Sequence, residues 1–132
     1  MKSIWFVALV VLALLAPVGA AQAVEVNPDW GSVTGKSRAM KQGCRDYRYT
    51  YEVTAPENGD WDLNVDLVDP NGRVVWFGYL SEGANPAVGT STFRLCRSKA
   101  PRGRYKLKAT VSNQLSNEVE AFRLPTSRFR LS

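Results

Sequence analysis

Histidine is missing altogether from the 132 residues, and with it go the commonest general base and the commonest transition-metal ligand. Ser-His-Asp and Cys-His catalysis are excluded. Cysteine is scarce: Cys44 and Cys96 are the only two, and if they bridge, neither a thiolate nucleophile nor a zinc site remains. A phosphate loop is also missing. Gly31-Ser32-Val33-Thr34-Gly35-Lys36-Ser37 invites that reading, but three residues separate its glycines where the motif needs four. No helical period of useful length and no internal repeat appear. After residue 23 no apolar run could span a membrane.

The one long apolar run is at the start. Lys2 supplies a positive flank, residues 4–16 are apolar but short for a bilayer, and Pro17 and Gly19 break the run. Ala21-Gln22-Ala23 offers small residues where a signal peptidase reads. Residues 1–23 are predicted to be a signal peptide cleaved after Ala23, with cleavage after Ala20 as the alternative. Residues 24–132 then form one exported domain with no transmembrane segment. In an exported chain a lone pair of cysteines is expected to form one disulfide.

Removing Lys2 leaves 16 basic against 12 acidic residues, and they are unevenly spread. Residues 24–93 hold 6 basic and 10 acidic side chains, whereas residues 94–132 hold 10 and 2.

What the chain has in abundance is alternation. Tyr47, Tyr49, Tyr51 and Val53 alternate with Arg48, Thr50, Glu52 and Thr54; Trp61, Leu63, Val65 and Leu67 alternate with Asp60, Asp62, Asn64 and Asp66. These are half-buried strands. Asp69-Pro70-Asn71-Gly72 turns the second of them into a hairpin with the apolar stretch Arg73-Val74-Val75-Trp76-Phe77-Gly78-Tyr79. Further strands are predicted over 31–38, 90–96, 104–112 and 118–124, and Pro125 ends the last. Residues 128–131 add a short final segment. About seven strands at this spacing predict an all-β fold: a single antiparallel β-sandwich of immunoglobulin or fibronectin III type.

Specific residues carry a resemblance. Asp69-Pro70-x-Gly72, Phe93-x-Leu95 and Gly103-x-Tyr105-x-Leu107 resemble the pattern of macroglobulin-type and bacterial pre-peptidase C-terminal sandwich domains, over residues 47–111. Tyr105 resembles the tyrosine-corner residue of immunoglobulin-like domains. Leu107 stands where antibody domains carry their second cysteine, so the inter-sheet disulfide of that family is absent. The resemblance implies an accessory or adhesive module. In such a sandwich the strand starting at Cys44 and the strand ending at Cys96 are antiparallel neighbours. Both cysteines share the outward parity of Arg48 and Arg94, as a disulfide between the two strands requires.

Several constellations are candidates for function. Asp60, Asp62, Asn64 and Asp66 resemble the start of a calcium loop, but on a strand same-face residues stand nearly 7 Å apart while calcium needs converging oxygens. These carboxylates are instead expected to face Arg104, Lys106 and Lys108 across the sheet, with Asp66 opposite Arg104 and Asp62 opposite Lys108. Read as an acid–base pair they would make a small carboxylate-dependent hydrolase, but a flat sheet face implies no cleft. The chain is expected not to be an enzyme and to need no cofactor or metal.

Basic residues are expected to gather at one end of the sandwich: Arg45, Arg73, Arg97, Lys99, Arg102 and Arg104. The expected partner is an anionic cell-surface polymer or another, acidic protein. Nucleic acid is not expected, because stacking aromatics are not interleaved with this cluster. A second candidate is the strand holding Trp76, Phe77 and Tyr79, which is apolar on both faces. Either the leader formed by residues 24–30 or Phe129 and Leu131 cover one face, or that face is a binding patch, for example a platform for carbohydrate.

Overall fold

Tyr47, Tyr49, Tyr51 and Val53 are buried and the residues between them are exposed, the two-residue period of a strand with one dry face. That period recurs throughout the computed structural model, which describes residues 24–132. The expected signal peptide and its cleavage site lie outside the described residues. Following one 3-10 turn at Pro28–Trp30 come β1 (Gly31–Gly35), β2 (Cys44–Val53), β3 (Asp60–Val68), β4 (Val74–Ser81), β5 (Val88–Cys96), β6 (Gly103–Gln114), β7 (Val119–Arg123) and β8 (Ser127–Leu131). Eight strands therefore stand where about seven were expected.

They form two antiparallel sheets, ordered β1-β2-β5 and β4-β3-β6-β7, with β8 also paired to β6. The sheets pack face to face. Tyr47, Tyr49 and Phe93 from the first meet Leu63, Val65, Leu107 and Val111 from the second in one core, each worth roughly 1.5–3 kcal/mol of burial. Phe93 sits at its centre, with the rings of Tyr47, Tyr49, Trp76 and Phe129 between 5.7 and 6.4 Å away.

Cys44 lies directly opposite Cys96 in the β2–β5 ladder and is bonded to it, as the shared parity of the two residues predicted. A bridge spanning 52 residues contributes about 4 kcal/mol in the chain-entropy model.

Pro125 does not simply end a strand. From Arg123 to Ser127 the chain advances four residues while β6 opposite advances three, from Thr110 to Leu107. β7 and β8 are thus two halves of one edge, separated by a bulge at a residue with no N–H to donate. The extra residue switches the buried parity from Leu124 to Phe129 and Leu131.

The expected pairing of β3 with β6 is present, but its register is not the expected one. Asp66 faces Lys108, Asn64 faces Thr110 and Asp62 faces Ser112, while Lys106 faces Val68. The slip is four residues, because β6 continues beyond the expected strand end at residue 112 to Gln114, and Asp60 aligns with that residue. Of the two charge pairs expected across this ladder neither is present as expected, and Asp66 faces Lys108 in place of Arg104.

At the end of β3 the turn is built by Asp69, whose carboxylate accepts the N–H groups of Asn71 and Arg73, both at 2.9 Å, with Gly72 at φ 81°. Pro70 packs beside Gly103, which brings this turn to the start of β6. There the Tyr105 hydroxyl donates to the Pro101 carbonyl at 2.6 Å. Burial, and then the nearby Asp69 carboxylate, push the Tyr105 hydroxyl up to about 12.

Candidate functional site

Each cation expected at one end can be placed by its element. The β1–β2 connection carries Arg38 and Lys41, and Arg45 follows the disulfide. Arg73 follows the β3–β4 turn, and Arg97, Lys99 and Arg102 lie between β5 and β6. Backbone bonds tie these segments together: Arg97 N–H donates to the Gly43 carbonyl and Met40 N–H to the Ser132 carbonyl. Beside them a depression of about 480 Å³ is lined by Arg38, Lys41, Arg45, Asp46 and Arg94. Inside it Arg94 and Asp46 form an ion pair at 3.2 Å, the only one among the described residues. Glu57, Asp60 and Glu82 border a hollow at the opposite end.

The outer face of the five-stranded sheet is ordered in rows. β4 presents Phe77 and Tyr79; β3 presents Asp62, Asn64 and Asp66; β6 presents Arg104, Lys106 and Lys108; and β8 presents Arg128 and Arg130. Arg104 pairs directly with Arg130, and Lys106 with Arg128. Like charges directly opposite on one face destabilise a sheet by a few tenths of a kcal/mol or more per pair. Arg128 and Arg130 were missed as site residues by sequence reasoning. Their alternation with Phe129 and Leu131 was legible, but nothing in it named β6 as their neighbour.

The two faces of β4 are now distinguishable. Trp76 turns inward, half-buried, and packs against the core with Tyr49 and Phe93 about 6 Å from its ring, so it is no free platform. Val75, Phe77 and Tyr79 turn outward and are 40%, 63% and 55% exposed. The cover expected for this strand is absent. Phe129 packs against Phe93 and Tyr105, and the leader's Trp30 packs on Phe122 of β7. Tyr79 bends toward β3 and donates its hydroxyl to Asp62, a bond that raises the hydroxyl's pKa.

The remaining chemistry is sparse. Among the described residues no three acidic or cysteine side chains converge as a metal cage, and no helix is long and apolar enough to cross a membrane. The β3 carboxylates lie on a flat face with Asp62 engaged by Tyr79. Comparison with protein-family models, with curated proteins and with solved structures finds no match for this chain.

Proposed function

We propose that this chain is an exported, non-catalytic binding module of immunoglobulin or fibronectin III-like build, which docks to an anionic cell-surface polymer through the cations of β6, β8 and the adjoining loop end. The strand order β1-β2-β5 over β4-β3-β6-β7 and the Tyr105–Pro101 bond support that build, the bond being of the kind a tyrosine corner makes. One observation carries the binding reading: the in-register pairs Arg104–Arg130 and Lys106–Arg128. They cost stability and have no carboxylate opposite on β3. Three of the four cations are arginines, whose planar fork suits phosphate, sulfate or carboxylate groups. The acidic row on β3 separates them from the exposed aromatics, which argues against a stacking nucleic-acid site.

Chromatography on a sulfated or phosphorylated polymer tests this. Retention at low salt should collapse over a few hundred millimolar salt, and Arg104→Ser with Arg130→Ser should lower the salt needed for release. Unretained wild type, or a double variant that elutes unchanged, refutes the basic-face reading. A carbohydrate-binding reading is favoured by one different observation, the adjacent exposed rings of Phe77 and Tyr79. Its retention on a neutral polysaccharide would be insensitive to salt.

A further inference from the structure

The two sheets end in four outer edges, and three of them are blunted. Along β7 and β8 the chain itself closes the edge: Asn27 N–H donates to the Arg123 carbonyl, Arg123 N–H to Glu25, Arg38 N–H to Arg130, and Ser132 N–H to Arg38. The Ser37 hydroxyl accepts the Arg130 N–H. β1 is only five residues long, and its Gly35 N–H is taken by the Ser127 hydroxyl. β5 faces outward with Thr90, Thr92 and the charged Arg94. Short length, covering segments and charge are the means by which edge strands avoid pairing with other chains.

Among the described residues β4 is guarded only at its last one, where the Asn85 side chain accepts the Ser81 N–H and the Asn85 N–H donates to the Ser81 carbonyl. It pairs with β3 alone, and residues 74–80 contain neither a charge nor a proline. A bulge opposite Leu67 and Val68 takes up Val75 and bends only the first residues, which leaves residues 76–80 regular and open. An unguarded apolar edge of this length is a template for a further strand.

We propose that β4 pairs antiparallel with β4 of a second copy of this chain, joining two five-stranded sheets into one continuous sheet. Charge at the ends of the strand selects this occupant. Arg73 stands just before β4 and Glu82 just after it. A two-fold antiparallel arrangement sets the Arg73 end of each copy beside the Glu82 end of the other, twice, whereas a parallel one sets like beside like. The apolar residues are also placed for self-pairing. Phe77 lies next to the strand's midpoint, and the register that sets Phe77 opposite itself sets Trp76 opposite Gly78 on both sides of the axis. Directly opposed residues share a face, so the two outward Phe77 rings meet as an aromatic cross-strand pair. The contact is isologous and closes as a dimer.

Residues 24–132, which contain both sheets, their core and the disulfide, suit the experiment. Sedimentation equilibrium from about 1 µM to several hundred micromolar, as a window for a modest interface, should show a reversible monomer–dimer equilibrium. Amides of residues 76–80 should exchange more slowly as concentration rises. Phe77→Lys with Tyr79→Lys should weaken dimerisation at least tenfold while leaving the denaturation midpoint at low concentration unchanged. On oxidation, Phe77→Cys should cross-link two copies, and Thr92→Cys on the outer face of β5 should not. A chain that stays monomeric throughout, or a dimer that survives the double lysine variant, overturns the proposal. So does a monomer that binds neutral polysaccharide through the same two rings, since that assigns the patch to a sugar.

Discussion

β7 and β8 form one edge of the five-stranded sheet and β4 forms the other, and the chain treats them in opposite ways. The first edge is wrapped by the leader and by the β1–β2 connection, anchored through Trp30 on Phe122 and through Phe129 in the core. On β8 its outward side chains are the cations Arg128 and Arg130, and on β7 they are Val119, Ala121 and Arg123. The second edge, among the described residues, is capped only at Ser81 by Asn85 and presents Val75, Phe77 and Tyr79. Aromatic side chains at the two edges therefore have different tasks: at the covered edge they secure the fold, and at the open edge they are available to something outside it. Sequence hydrophobicity is similar in both places, so hydrophobicity alone does not reveal which task a residue has.

Substitution at the two edges should separate these tasks. Phe129→Ala should cost about 3–5 kcal/mol, as for other buried aromatics cut to alanine, while Phe77→Ala should stay within about 0.5 kcal/mol. Urea denaturation of both variants at low protein concentration measures the difference. Equal costs at the two edges would erase the distinction.

A smaller effect probes the corner that holds the covered edge to the loop end. Tyr105→Phe removes the bond to the Pro101 carbonyl and should cost about 1 kcal/mol at neutral pH. The folded-state pKa of about 12 lies above the ordinary value of 10.0, so the native chain keeps this proton longer than the unfolded chain does. The stability gained from it is fully present below pH 10 and is lost as pH rises toward 12. The gap between wild type and Tyr105→Phe should therefore narrow across that window, and denaturation curves at pH 9, 10 and 11 follow it.

The smallest expected effect has the opposite sign. Arg130→Thr relieves the like-charge pair with Arg104 and puts a β-branched residue on β8, which should raise stability by a few tenths of a kcal/mol. The gain should shrink as salt is added, and retention on a polyanion should fall at the same time. A variant that loses stability would mean that Arg130 is held by packing, and the cationic row would no longer stand apart from the aromatic one as a surface kept for binding.

Much of this molecule was legible before any coordinates. Alternation located the strands, Pro125 marked the break in the final edge, and the shared parity of Cys44 and Cys96 anticipated the bridge across β2 and β5. Parity also divided β4 into a set of Val74, Trp76 and Leu80 and a set of Val75, Phe77 and Tyr79, a division that holds from Trp76 on but fails at Val74, which the bulge leaves exposed. It did not say which set was dry, because both are apolar and only the position of the opposite sheet decides between them.

The sequence by itself determined which side of its own strand each residue occupies, since that depends only on the two-residue period of an extended backbone. Register is a different matter. A slip of one residue moves every side chain to the wrong face, but a slip of four leaves each on the face it had. The pattern was therefore indifferent to whether Arg104 stood opposite Asp66 or opposite Arg130. Tertiary structure alone decided that, by extending β6 to Gln114 and laying β8 along its first half. In doing so it left Arg104 and Lys106 facing cations on β8 with no carboxylate opposite on β3, while Lys108 alone faces Asp66.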